Sequence, residues 1–566
     1  MLRNVFITVI LLLLFTTNVT SANLTSQDSN ISVTSLDKIL NTEDGFAISS
    51  TVWSPDGQYL LVTCSKSISR SNSVHKHYLL DTNSHTFGEI DYGIKEFSSY
   101  SVPKVEWAPS GDRIYFRISK FAGPTDSGGC FIVCNPDGTS LRGLGTNYTS
   151  LSDVIENLES IGFQNNLKWN PGSSKIVFEW QRPGDFFSGV YIANRNGTNP
   201  RQLSSSTSPQ SAWFDSNKVF ILTSDGTVEL INESGDLIQT FHTENKDERY
   251  WAFSLSPDRK KIMFASGSQT SGSPSIDNLQ TYISNIDGSK LKGNFSYNEY
   301  FLTNESWQPN GSLLLVNQNG SLYIVEGDEN NKRLLYEGNA TKPQWFPDGK
   351  NILFVENKNK LYSIDIDGSN LTFITNFGLT TSYFWSLYKE AKQFSISPSG
   401  NIIAFTSALY PDTGKIIEYE PDPSTRQNIA VPLFIVNSDG SKLTQVTPAI
   451  KGLYEIFGEW SPNGKQFTTD PIQLSDNPNQ DNDSSCLIEL ETRNSSSVWK
   501  NMPVKKIIGY EESGTVDKVQ INEPYSKNTS QVAESKETNN QSPSFMFLQL
   551  FICIIGVWLL HKAQEQ

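Results

Sequence analysis

The sequence predicts an all-β fold, a single β-propeller of eight or nine four-stranded blades. Three observations carry that expectation. The first is a turn, Trp53-Ser54-Pro55-Asp56-Gly57, that returns eight times. Its later copies begin at Trp107, Trp169, Trp213, Leu255, Trp307, Trp345, Ile396 and Trp460, spaced 38 to 64 residues apart. A period of that size marks a repeat architecture. The second is the run behind each turn, as in Arg113-Ile114-Tyr115-Phe116, Lys175-Ile176-Val177-Phe178 and Asn351-Ile352-Leu353-Phe354. Continuous rather than alternating hydrophobicity calls for a strand buried on both faces. The third is a second turn further along, Asp367-Gly368-Ser369, echoed closely at Asp439-Gly440-Ser441.

Each part of the repeat has a local reason. In Ser-Pro-Asp-Gly, Pro presets φ at the second turn position, Asp suits the third, and Gly takes the conformation closed to other residues. The apolar run makes the second strand. A third strand, as in Leu361-Tyr362-Ser363-Ile364, leads into the Asp-Gly-Ser turn, and a fourth leaves it. Four antiparallel strands per repeat, arranged radially, make a propeller.

The Trp-Ser-Pro-Asp-Gly turn paired with the distal Asp-Gly-Ser-x-x-Leu-Thr turn resembles the TolB-type propeller repeat, over about residues 45 to 503. The resemblance implies a role exercised through protein partners, without catalysis. Propellers host unrelated activities, so it speaks to the fold more than to the function.

Taken in order, residues 1–22 read as a secretory signal, with Arg3, an apolar core from Val5 to Phe15, and Ser21-Ala22 at the cleavage site. Residues 23–45 are polar and supply an outer strand or a short tail. Residues 46–503 carry the propeller. Residues 504–544 lose the repeat and read as a polar, disordered stalk. Phe545 to Leu560 is an apolar segment, followed by the short tail 561–566. It reads as a transmembrane or processed membrane anchor with Lys562 on the inner side. Pro543, the apolar run and the polar tail look like the C-terminal signals of archaeal surface proteins, with Pro543-Ser544-Phe545 in place of a Pro-Gly-Phe motif. Fifteen Asn-x-Ser/Thr sequons beyond the signal agree with export to the cell surface. Asn147, Asn196, Asn310 and Asn370 are candidate glycosylation sites. With 45 basic and 60 acidic residues the net charge is −15, which argues against nucleic acid as a partner.

The motifs of catalysis are missing from the sequence: no Gly-x-Ser-x-Gly elbow, no His-Glu-x-x-His and no phosphate-cradling Gly loop. Asp126-Ser127-Gly128-Gly129 reads as a loop. His75 and His77 read as an exposed outer-strand pair rather than a metal cluster, and Asp476–Ser484 as a solvated loop rather than a calcium site. Neither cofactor nor metal is expected. Cys130 and Cys134 share a strand face about 13 Å apart, too far to bond. Cys64 is expected close to Cys130 and Cys486 at one face of the ring, forming a disulfide with one of them.

Strands that zigzag send every second-to-third-strand loop and every link between repeats to one face. The long excursions fall there: Ser119–Gly129, Gln181–Ser188, Ser266–Gln280, Ser407–Asn428, Asp470–Ser485, and the links Gly145–Asn166 and Asn376–Lys392. Long loops on a rigid scaffold are where binding usually sits. The candidate binding residues are Phe186, Phe187, Trp385, Tyr410, Asp412, Glu418, Tyr419 and Asp422. The expectation is a non-catalytic module that binds a protein or glycan ligand; the alternative is a surface hydrolase acting on glycan or peptide at the same face.

Overall fold

The computed structural model describes residues 31–490 apart from interior stretches, the longest being 269–279, 297–306, 379–393, 412–430 and 474–484. All described residues belong to the first of two units, Met1–Ile508. The expected signal, stalk and anchor lie outside them.

The described residues are nearly all β. In the seventh repeat, Ala340–Trp345, Asn351–Glu356, Lys360–Asp365 and Thr372–Asn376 pair in chain order as an antiparallel sheet. Ser211–Trp213, Lys218–Leu222, Val228–Asn232 and Leu237–Phe241 do the same in the fourth. Repeats two and three share one sheet through a single parallel bridge, Phe163 to Gly129. In repeat six the described residues ahead of the second strand contribute the bridge Trp307 to Leu314. The ninth repeat contributes Leu453–Trp460, Gln466–Gln473 and Cys486–Leu490, and takes its fourth strand from the other end of the chain. That strand is Ile31–Ser35, with Ile31 opposite Leu490 and Ser35 opposite Cys486.

The hydrophobic cores lie between sheets, which is why the second strands are apolar on both faces. In Lys218–Leu222, Val219 and Ile221 join Val177 and Val190 of repeat three, while Phe220 and Leu222 join Phe253 and Phe264 of repeat five. The succession of cores runs around to its start. The last one packs Leu36, Leu40 and Leu487 against Trp53, Leu60 and Val62 of repeat one. First strands meet across repeats, Ala47–Trp53 touching both Glu106–Trp107 and Leu453–Trp460. Fourth strands instead expose Leu237, Ile238, Leu334 and Phe373. The first strands therefore surround the axis of a β-propeller.

The repeated tryptophan turns out to do more than end a strand. Trp53 Nε1 donates to Glu459 O at 3.1 Å, Trp107 to Val52 O at 3.4 Å and Trp213 to Lys168 O at 3.0 Å. Trp307 Nε1 donates to Ser254 Oγ at 3.0 Å. Every acceptor immediately precedes the equivalent position of the previous repeat. In these four repeats the indole is thus a staple between neighbouring blades, and the bond from Trp53 joins the first repeat to the ninth. The indole nitrogens of Trp169 and Trp460 are buried without such a bond.

Three loop expectations change, the strand Gln466–Gln473 running into the segment read as the loop Asp470–Ser485. Strands Ile114–Phe121 and Ser127–Cys134 continue well into the segment read as the loop Ser119–Gly129. The link Gly145–Asn166 holds two short helices, α1 (Leu151–Glu156) and α2 (Leu158–Ile161). Gly128 and Gly129 belong to the strand beneath α2. A Cβ on Gly128 would stand 2.3 Å from Leu158 O, and Gly129 N donates to Gly162 O at 2.8 Å. Ser127-Gly128-Gly129, read from the sequence as part of a loop, is thus strand and a site of close backbone approach.

Candidate functional site

One face of the ring is closed by its turns. Ser54 Oγ donates to Asp56 Oδ1 at 2.5 Å, Gln58 N to the same oxygen at 3.0 Å, and Tyr59 N to Ser54 Oγ at 2.8 Å. The Ser54 bond, helped by Gln58, holds the Asp56 carboxyl below the usual range. Ser256, Asp258 and Lys260 repeat this, as do Ser461, Asn463 and Lys465. Gly57 sits at φ 70°, and a Cβ there would meet Asn463 Nδ2 at 2.9 Å, so the turns of repeats one and nine nest. The second turns are pinned likewise. Asp367 Oδ1 accepts from Ser369 N and Oγ at 2.8 and 2.6 Å, and Asp439 from Ser441 at 2.9 and 2.6 Å. Asn196 and Asn370 are exposed in such turns, and Asn147 is exposed in the link before α1; Asn310 lies outside the described residues.

The described strand ends that lead into the long connections lie at the opposite face. The eight residues expected to bind there (Phe186, Phe187, Trp385, Tyr410, Asp412, Glu418, Tyr419 and Asp422) all lie outside the described residues, as does the acidic segment 476–484. The ends that carry these loops are described. Ala408 N donates to Gly378 O at 3.0 Å and Asn376 Nδ2 to Pro411 O at 3.0 Å, which fixes the start of the longest loop. Helices α1 and α2 cover the rim of repeats two and three. Ser150 caps α1 by accepting from Asp153 N at 3.1 Å, and Trp180 Nε1 donates to Ile161 O at 2.8 Å. Buried Gln164 ties the link down, accepting from Phe131 N at 2.9 Å and donating to Leu144 O at 2.8 Å.

Towards the axis, the first strands of repeats one, three, five, seven and nine are bulged. A bulge re-aims side chains. Two bulge residues, Asn166 and Lys342, adopt φ 51° and φ 50°, a left-handed conformation uncommon for residues other than glycine. Asn166 Nδ2 donates to Glu179 Oε1 at 2.8 Å, and Lys168 Nζ to Ser211 O at 2.5 Å. Burial pushes the Glu179 carboxyl up against the pull of Asn166 and Lys168. Burial also holds Lys168 and Lys342 below the usual lysine value. In repeat five the Arg249 guanidinium stacks 3.7 Å over the Trp251 ring. Half-buried cations beside indoles and amides make this zone suited to recognition through charge-assisted hydrogen bonds. Among the described residues no group of three or more His, Cys, Asp or Glu is placed to hold a metal ion.

No family model and no curated protein sequence matches the chain. Solved structures are similar to it. The tricorn protease aligns at 12% identity with a TM-score of 0.28, covering 83% of this chain and 49% of that one, so the chain spans about half the protease's length. The C-terminal WD40 domain of Sif2 aligns at 11% identity and TM-score 0.34, covering 79% of this chain and 96% of that one. The Dos1 propeller aligns at 12% identity and TM-score 0.37, covering 63% and 89%. Likenesses this low carry no argument about activity. The propeller assignment rests on the strand pairing above.

Two sequence expectations are corrected. His75 and His77 are buried, not exposed. Their strand, Asn72–Asp81, is third in its sheet, flanked by Tyr59–Ser69 on one edge and by Thr86–Glu89 and Phe97–Ser99 on the other. His75 Nδ1 and Ser65 Oγ are 2.8 Å apart, and His77 Nδ1 lies 2.7 Å from the Tyr92 hydroxyl. Burial, with a smaller push from His75, lowers His77 to about 3. Folding thus favours neutral His77, and its contribution is fully present above the unfolded value of 6.5. It is lost progressively as pH falls from there toward 3, by up to about 1.4 kcal/mol per pH unit. The urea midpoint is expected to fall more steeply between pH 6.5 and 4 in the native chain than in His77→Phe. Equal slopes would remove His77 as the cause.

The expected disulfide through Cys64 is not formed. Cys64 points into the core between repeats nine and one, Cys130 into the core of repeats one to three, and Cys486 packs against the core between repeats eight and nine. Strand alternation explains this, since Leu487 beside Cys486 is the residue that faces Cys64. Burial pushes the Cys130 thiol up to about 12, so it is unreactive at neutral pH.

Proposed function

We propose that the chain is an exported, membrane-anchored propeller of TolB type whose nine blades close one ring. Its loop-rich face binds a protein or glycan ligand at the cell surface without catalysis. The observation that carries this reading is the asymmetry of the faces. Every described turn on one face is filled by its own hydrogen bonds, while the long connections gather on the other. Support for nine blades in one ring comes from the nine repeats, from the Ile31–Ser35 pairing with Cys486–Leu490, and from the Trp53 to Glu459 bond.

Because Ala408 and Pro411 are held by Gly378 and Asn376, the test spares them and replaces residues 412–428 with a Gly-Ser turn. Binding to peptide and glycan arrays is expected to be lost while the melting temperature stays within about 2 °C, as for a surface change. Unaltered binding would move the site away from this loop. For the anchor, a chain ending before Phe545 is expected in the soluble fraction and the full chain with membranes. A truncated chain that still sediments with membranes would place the anchor elsewhere.

A further inference from the structure

We infer that the loop-rich face docks an acidic peptide segment of a partner through two guanidinium groups, Arg249 and Arg182, each held over a tryptophan. The inference deepens the binding reading above and rests on it. Arg249 stacks 3.7 Å over Trp251. Arg182 lies 4.3 Å over Trp180 and 5.2 Å from the centre of the Tyr191 ring. Both stand where their strands reach that face. Arg249 is second in the first strand Glu248–Leu255, and Arg182 directly follows the second strand Lys175–Gln181.

Both platforms are rigid. Trp180 is buried and anchored through its indole to Ile161 O at 2.8 Å. Beside Arg249, Tyr250 N donates to Gly226 O at 2.9 Å. A Cβ on Gly226 would fall 2.3 Å from Arg249 Cβ, so the two backbones are pressed together. Neither guanidinium forms an ion pair or hydrogen bond among the described residues, and Arg249 Nε and Trp251 Nε1 are buried donors without an acceptor.

Stacking fixes the plane of a guanidinium and leaves its edge to grip a carboxylate with two parallel bonds. A chain of net charge −15 repels an acidic segment at long range, so recognition falls to local cations such as these. The stacks also decide between ligand classes. Each tryptophan has one ring face covered by its arginine, which presents a carboxylate-binding edge where a bare ring would stack a sugar.

The test titrates the full-length chain with hexaglutamate, following tryptophan fluorescence, with hexaglutamine as the neutral control. Hexaglutamate is expected to bind saturably and more weakly as salt rises, and hexaglutamine not to bind. Arg249→Gln and Arg182→Gln should each weaken binding roughly tenfold, and the double variant roughly a hundredfold, for loss of one and two charge-assisted pairs. Arg249→Lys should fall between, because lysine keeps the charge and loses the planar fork. Matching thermal unfolding of all variants shows that the fold is intact. Equal binding of the two peptides, or unchanged hexaglutamate binding by the double variant, would overturn the inference. A preference for an acidic oligosaccharide over hexaglutamate would overturn the choice of peptide. Failure here leaves the loop-replacement result to judge the binding module on its own.

Discussion

Leu36→Ala is expected to destabilise the propeller by about 3 kcal/mol, and Leu36→Pro by more. Leu36 follows the closing strand Ile31–Ser35, its side chain fully buried between the ninth repeat and the first. Its N–H donates to Ser485 O at 2.8 Å. Alanine removes three carbons from that core. Proline removes the donor as well and forces the chain away from the edge it closes. The effect is large because nothing else in the described chain supplies a fourth strand to Cys486–Leu490. Urea unfolding measures it, and the exposed Leu334→Ala (48% accessible) should stay within about 0.5 kcal/mol. Equal midpoints for Leu36→Ala and Leu334→Ala would mean that the closing segment contributes nothing.

Trp307→Ala should cost about 4 kcal/mol. The side chain is 1% exposed, among Met263, Ile283, Leu314, Val316 and Val325. Its indole N–H reaches Ser254 Oγ in the preceding repeat. Trp307→Phe keeps most of the burial and loses the donor, for an expected cost of about 1–2 kcal/mol. If the phenylalanine variant proved as damaging as alanine, the staple rather than the packing would dominate. If it proved neutral, the indole bonds that join repeats would be incidental to stability.

How much of this was readable from residues alone follows from how local each cause is. The Ser-Pro-Asp-Gly turn is legible because its hydrogen bonds run between residues two to five apart. The double-sided burial of Lys218–Leu222 is legible because alternation is absent over five residues. The tryptophan staple was not, because its partner is set by a neighbouring blade: Trp213 reaches Lys168, a contact fixed by how two sheets pack. Ile31–Ser35 has no turn motif, so only its pairing with Cys486–Leu490 reveals it as the closing strand. Helices α1 and α2 did leave a signal, Ser150 three residues before Asp153 with Leu151, Val154, Ile155 and Leu158 on one face, but two turns of helix are easily lost in a loop-length link. Polarity alone puts His75 and His77 at the surface; their place in a third strand, flanked on both edges, buries them instead. Of the proposed site, loop lengths in the sequence suggest a face, and the eight residues named for it lie outside the described residues. The Arg-on-Trp stacks carry only a faint signal, a spacing of two residues between Trp180 and Arg182 and between Arg249 and Trp251, because one pair straddles a strand end and the other a bulge.

The proposed closure of the ring underlies the binding reading, because an open chain of blades would have no axis and no single loop-rich face. The direct measurement is oxidation of a chain carrying Val33→Cys and Ile488→Cys, which stand opposite one another in the closing pair. Opposed residues in an antiparallel pair have Cα atoms roughly 4.5–5.5 Å apart, within disulfide range. A closed ring gives an intrachain link between these two positions in peptide mapping, formed readily in the folded protein and lost when urea is added before oxidation. Two unlinked thiols in the folded chain, or links formed only between chains, would contradict it.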